Sequence, residues 1–444
     1  MTRLLNSPLA GMVDLFGPQL RRRLYVQTTL ADLARRHGYD EVAVPLVERA
    51  SSFSEDVVGR SPWPEWDQRG CFYLRVPDYV SSYDDEPAQV DALLIPEGTI
   101  SVTRWLGSVL AAEPDFVFPL KLYYQTPCFR NELVSSLETG KARSFTQFGL
   151  EVLGTEPGTS DVEVIHLIAQ CLIGLGVPSS AVRVRVGDVA VFNRLAQLSG
   201  IDADTAIALK ELLDALAECR AGKAIHRRPG LLADLQTRLG VSAVDERWRK
   251  VWFDLVSARD TVAVLAALDD AFIAERLRGL EDLGSAQREI GAEIEIDLCV
   301  VRSHEYYTGI AFEIDVNFQG LAFVEVGGGG RYDRLVGHFL PGSGGRTVPS
   351  TGFAFGVERV VGMLDQLGLL DEDRRAATAI GLKQATADEL LVPAPGVAGY
   401  CDAVSLAESV RCEGQRVDIY LGAADGHGAY AKARGIAVTR IYSD

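Results

Sequence analysis

Residues 128–152, CFRNELVSSLETGKARSFTQFGLEV, restrict the fold more than any other stretch of the chain. A charged loop is flanked by two strand-like segments, KLYYQTPCFR and SFTQFGLEVLG, and strands joined in this way pair antiparallel. Side chains two apart on a strand share a face. Arg130 and Glu132 therefore share one face of the first strand, and Arg143, Phe145, Gln147 and Glu151 one face of the second. Charged and amide groups recurring on otherwise apolar strands line a pocket, and the planar fork of arginine suits phosphate and carboxylate. Taken alone, the same pattern also fits an exposed hairpin laced with salt bridges.

The rest of the chain supplies a sheet for this hairpin to join. Leu20, Leu24, Leu30 and Leu33 recur at near-helical spacing from Pro18 to His37, and Gly38 ends the pattern. DEVAVPLVE alternates like a strand and breaks at Pro45, which lacks the N–H a sheet interior needs. CFYLRV and ALLIPEGT also read as strands. Helical spacing returns between Asp161 and Leu175, VRVRVGDVAVF alternates, and Asp204 to Arg288 is almost wholly helical, with Ile207, Leu209, Leu213 and Leu216 on one stripe. Strands resume at AEIEIDLCVV, IAFEIDV and FVEVGGGG, and STGFAFGVERVVGMLDQLG passes from strand to helix. A charged stretch, LLDEDRRAAT, reads as a linker to a small alternation of strand and helix.

Composition narrows the function. The 444 residues are 47% hydrophobic, enough for packed cores in two or three domains. A net charge of −17 argues against a surface built for nucleic acid throughout, so any such partner must be argued from a site. The seven cysteines are scattered and form no CxxC pair, which predicts reduced core thiols rather than a disulfide framework or zinc site. No apolar run reaches membrane-span length and the N-terminal segment has no apolar signal core, so no membrane partner and a cytoplasmic location are expected.

Further groups cluster around the hairpin in type. GFAFGVER places Glu358 and Arg359 just after a strand whose Gly352 and Gly356 permit close approach. VRSHEYYTG brings Arg302, Tyr306 and Tyr307, and VGGGGRYD brings four glycines and Arg331. His304 and the loop residues His226, Arg227 and Arg228 read as structural or surface groups, and Trp248 and Trp252 as core.

These segments together resemble the class II aminoacyl-tRNA synthetases. FRNE…RSFTQFGLE resembles their motif 2, GFAFGVER their motif 3, and GYDEVAVP the motif 1 strand that ends in a dimer-interface proline. PEGT, VRSHEYYTG and GGGRYDRLV look like segments peculiar to histidyl-tRNA synthetases and their paralogues, and the likeness covers residues 8 to 370. The resemblance implies an α+β fold, with an antiparallel sheet flanked by helices, a helical insertion and a small C-terminal α/β domain. It implies a catalytic core over 1–185 and 289–372, an insertion over 186–288, and a shortened anticodon-binding-like domain over 385–444.

It also implies roles, in ATP- and Mg²⁺-dependent activation of histidine or a histidine-like amino acid. Arg130 would hold the α-phosphate, Glu132 the adenine, Arg359 the γ-phosphate, and Arg143 and Glu358 the nucleotide end. Arg302 would stabilise the charge developed in the transition state. Glu97, Thr99 and Gln147 match the amino-acid backbone positions, Glu151 and Tyr306 those that grip the imidazole, and Tyr307 and Arg331 the walls. A homodimer is implied.

The chain departs from the family pattern in three places. RSHE stands where RGLD is usual, Ile95 where an arginine begins RPEGT, and the C-terminal segment is shorter and poorer in lysine. The last departure resembles the regulatory paralogue of ATP phosphoribosyltransferase, which binds histidine without charging tRNA. An amino-acid ligase or carrier-protein loader is a third reading, and tRNA binding is expected to be weak.

Overall fold

The computed structural model describes residues 8–59, 70–78, 88–113, 115–131, 142–241, 244–289, 293–302, 305–340, 342, 347–370, 387–394, 397–413, 415, 417–420, 426–434 and 436–441. The chain forms two compact units, Met1–Asp371 and Glu372–Asp444.

In the first unit, the predicted N-terminal helix runs Pro18–Arg36 and buries Val26, Leu30, Ala31 and Ala34. The chain then forms β1 (Asp40–Glu41), passes Pro45, and resumes as β2 (Val47–Arg49). β2 pairs antiparallel with β4 (Ala88–Leu94), which also pairs with β3 (Phe72–Asp78) in a small sheet. The main sheet adds β5 (Leu120–Phe129), β6 (Ser144–Leu153), β7 (Val182–Asp188), β8 (Ile294–Ile296), β9 (Ile310–Phe318), β10 (Leu321–Arg331) and β11 (Ser350–Gly356). Its order is β1-β5-β6-β11-β10-β9-β7-β8. Every pairing from β5 to β7 is antiparallel, and only the outermost strands, β1 on β5 and β8 on β7, run parallel.

Strand alternation sorts side chains between the two faces. On β9, Phe312, Ile314 and Val316 join one large core with Leu30, Ile168, Leu213 and Trp252, while Ala311 faces a second core containing Ile100, Tyr124, Tyr307 and Tyr332. The helices Ala203–Arg220, Arg228–Val241, Glu246–Ser257, Thr261–Ala266 and Ala271–Glu289 realise the long helical pattern. Asp202, Asp245 and Asp260 cap three of them by accepting the backbone N–H of Thr205, Trp248 and Ala263. Their apolar stripes pack into the sheet's own core.

Two expected strands are shorter than the alternation suggests. VRVRVGDVAVF is a strand only to Asp188, whose carboxylate accepts from the N–H groups of Ala190 and Val191 and starts the helix Val189–Leu198. In AEIEIDLCVV only Ile294–Ile296 is strand, because Asp297 turns the chain by accepting the Cys299 N–H at 3.0 Å and pairs with Arg220 at 3.1 Å. In both places an aspartate offers the backbone an alternative to the ladder.

The second unit is a parallel α/β element, with β12 (Glu389–Val392) between β13 (Val417–Ile419) and β14 (Val438–Ile441) and the helices Val397–Cys412 and His427–Arg434. Leu390 and Leu391 are fully buried. The linker stretch lies, from Asp371 onward, outside the described residues. No described helix is long and apolar enough to cross a membrane. Cys128, Cys171, Cys219 and Cys299 are buried free thiols, and Cys71 is buried as well.

Candidate functional site

The central strands hold an unusual row. Glu151 on β6 sits opposite Gly352 on β11, which sits opposite Gly330 on β10. A Cβ on Gly352 would stand 1.8 Å from Glu151 Oε2 and 2.6 Å from the Leu150 carbonyl oxygen, so only glycine lets this carboxylate lie flat across the sheet. Gly328 does the same for Arg302, whose Nη1 would be 2.2 Å from an added Cβ. The second face thus gains a cavity of about 160 Å³ floored by backbone.

At one end the groups are hydroxyl, amide and carboxyl. Thr99 Oγ1 donates to Glu151 Oε1 at 2.8 Å, and the Tyr332 hydroxyl donates to Glu151 Oε2. Gln147 Oε1 accepts the Gly98 N–H at 2.6 Å, and Glu97 Oε1 accepts the Ile100 N–H at 3.0 Å, so both brace the start of the helix Thr99–Ala112. Tyr306 stacks on Tyr307 at 4.6 Å between ring centroids and meets Tyr332 edge-on at 6.3 Å. Burial pushes the Glu151 carboxyl up to about 8, and the Glu97 carboxyl adds to this against the bonds from Tyr332 and Thr99. Burial raises Glu97 as well. An enclosed carboxyl that readily carries its proton, ringed by hydroxyls, suits a polar group able both to give and to accept a proton.

At the other end the groups are cationic. Arg130, just beyond β5, donates from Nε to the Pro96 carbonyl at 3.1 Å and lies over the Phe145 ring. Arg359 Nη2 donates to the Val324 carbonyl at 3.2 Å. Arg302 has φ 42°, and its N–H donates to Asp214 Oδ1 at 3.2 Å. Its Nη1 stands 3.6 Å from Glu313, yet the buried Nε and Nη1 have no hydrogen-bond partner among the described residues. Buried guanidinium N–H groups of this kind call for an anion.

Of the residues singled out from sequence, Glu97, Thr99, Arg130, Gln147, Arg302, Tyr306, Tyr307 and Arg359 line this one cavity, and Glu151 lies against it through Thr99 and Tyr332. Two others stand apart from the lining. Arg143 donates to Asn131 and lies 5.0 Å over the Phe72 ring, while Glu358 accepts the Thr146 N–H at 2.8 Å and so ties the helix Val357–Gln366 to β6. Glu132 and His304 lie outside the described residues. Arg331 does not shape the wall: it is buried in bonds to Asp161 and Ser160, all between 2.8 and 3.1 Å. Alternation explains this, because Arg331 and Tyr332 are adjacent and face opposite ways. Tyr332 was thus the missed wall residue, and the same parity rule could have found it. Tyr124, whose hydroxyl lies 3.2 Å from Thr99 Oγ1, was also missed. Trp252 is core, as read from the helical pattern.

The chain is similar to known proteins in sequence and in fold. The family model for histidyl-tRNA synthetase matches residues 92–360. A histidine–tRNA ligase of Synechococcus sp. is 30% identical over 95% of this chain and 83% of its own length. An ATP phosphoribosyltransferase regulatory subunit of Moorella thermoacetica is 32% identical over 80% of this chain and 82% of its own. Among solved structures, an ATP phosphoribosyltransferase regulatory subunit/histidyl-tRNA synthetase from Bacillus halodurans superposes with a TM-score of 0.71 at 20% identity, covering 99% of this chain and 100% of that one, a likeness of fold. With the motifs in order on a class II antiparallel sheet, the chain belongs to the histidyl-tRNA synthetase family.

Proposed function

We propose that this protein binds histidine, or an amino acid with a like side chain, and activates it with ATP to the aminoacyl-adenylate. The observation that carries the reading is Arg302: it lies at the same cavity as Arg130 and Arg359, opposite the carboxyl and hydroxyl groups, and its buried Nε makes no hydrogen bond among the described residues. In this reading Glu151 and Tyr306 hold the two imidazole nitrogens, and Glu97, Thr99 and Gln147 receive the α-ammonium and carboxylate. Arg130 orients the α-phosphate and Arg359 the γ-phosphate, with Glu132, Arg143 and Glu358 at the nucleotide end. The amino-acid carboxylate oxygen attacks the α-phosphorus, the bond to the bridging oxygen breaks, and pyrophosphate leaves with its electron pair. Arg302 neutralises the charge that builds up as this happens. Mg²⁺ would share the charge of the phosphates.

Amino-acid-dependent exchange of labelled pyrophosphate into ATP tests the reaction, and histidine is expected to support it. Acyl transfer then proceeds to tRNA or another acceptor, which aminoacylation of a histidine tRNA tests directly. A homodimer built across the Pro45 region is part of the same reading.

One observation favours a second reading, a histidine-binding regulatory subunit of ATP phosphoribosyltransferase. Glu325 lines the cationic end, so a carboxylate already stands beside Arg302 and Arg359. Histidine binding without any exchange, together with association with the phosphoribosyltransferase, would decide for it.

A further inference from the structure

β10 is not a regular strand. Its register against β9 slips between Phe323 and Gly327, and Glu325 sits within the slip at φ 57°. Left-handed backbone is uncommon for a residue with a long side chain and marks a position held by its surroundings. Here the Glu325 N–H donates to Asp315 Oδ1 at 2.9 Å, which fixes the bulge. The bulge directs the side chain to the cavity wall it shares with Arg302 and Arg359. Its Oε2 lies 3.3 Å from Lys223 Nζ, which also binds Glu218.

The neighbouring carboxylates have other partners. Glu313 and Asp315 each lie 2.7 Å from Arg185, and Asp214 accepts the Arg302 N–H. Glu313 also faces Arg302 Nη1 at 3.6 Å and Glu218 shares Lys223, but of these carboxylates only Glu325 lines the cavity, together with Arg302 and Arg359. Burial opposes its charge, but these three cations hold the carboxyl below the usual range, so it is ionised.

We propose that Glu325 is an internal anion standing where the polyphosphate of a nucleotide would meet Arg302 and Arg359, so that the site takes an amino acid readily and ATP only against this carboxylate. The inference rests on the reading of the arginine end as the nucleotide end. It makes Glu325 a specificity-determining residue: the carboxylate neutralises the guanidiniums that phosphates need and repels the phosphates themselves.

The test uses the full chain with saturating histidine and measures binding of labelled Mg–ATP by equilibrium dialysis. Glu325→Gln keeps the shape and removes the charge, and Glu325→Gly suits the left-handed backbone, so a folded variant is available by one route or the other; circular dichroism checks each. ATP is expected to bind about tenfold or more tightly in both variants than in the wild type. Affinity equal to or weaker than wild type in the folded variants overturns the proposal. Pyrophosphate exchange measured alongside separates the two ideas. Tighter ATP binding with no exchange in any of the proteins keeps the role of Glu325 and refutes adenylation, whereas exchange by the wild type with unaltered ATP affinity in the variants does the reverse.

Discussion

Replacing Glu151 by glutamine should change how the stability of the protein depends on pH. Burial lifts this carboxyl from the ordinary 4.5 to about 8, so the folded protein holds the proton more tightly than the unfolded chain does. The stabilisation this provides is complete below pH about 4.5, declines as pH rises, and is gone once the pH passes about 8. At about 1.4 kcal/mol per tenfold change in proton affinity, the whole effect is about 3–5 kcal/mol, the lower figure allowing for rearrangement around the charged form. Glutamine cannot ionise. Near pH 5 the variant should differ from wild type by only about 1 kcal/mol, through its altered bonds to Thr99 and Tyr332. Near pH 9 it should have gained about 3–5 kcal/mol relative to wild type. Urea unfolding at several pH values measures the difference, with tryptophan fluorescence as the probe because Trp252 is fully buried in the same unit. A stability difference that stays constant from about pH 5 to pH 9 would refute the reasoning. The same substitution should also weaken histidine binding more than ATP binding.

Arg302→Ala should lower the pyrophosphate-exchange rate by about 10²–10³ while altering histidine affinity little, and an unchanged rate would remove Arg302 from the reaction. Gly352→Ala should destabilise the protein by about 2 kcal/mol or more and abolish histidine binding, because its Cβ falls 1.8 Å from Glu151 Oε2; a fully stable variant that binds histidine contradicts the packing of this row. Sedimentation at micromolar concentration should show a dimer, and a monomer there would count against the two-fold assembly. Efficient charging of histidine tRNA at physiological salt would overturn the expectation of weak tRNA binding drawn from the acidic charge and lysine-poor C-terminal segment.

The sequence by itself determined the hairpin and much of its chemistry. Period-two alternation is a property of the strand backbone, so parity alone placed Phe145, Gln147 and Glu151 on one face of β6, and the helical stripe through Leu209, Leu213 and Leu216 followed from the 3.6-residue repeat in the same way. Ordered motifs then identified the family before any side chain was located. Tertiary structure decided whatever depends on groups distant in the chain. By contrast, the end of β7 is local, set by Asp188 capping the next helix in competition with further alternation. Glu151 meets Tyr332, 181 positions away, only because β6, β11 and β10 are neighbours in the sheet. Parity turns Arg331 away from the cavity, but only the fold supplies Asp161, 170 positions away, as the partner that buries it. Glu325 lines the cavity with Arg302 and Arg359 because a bulge in β10 breaks the alternation on which its direction would otherwise have been read, and that bulge is held by a bond to Asp315 on the neighbouring strand.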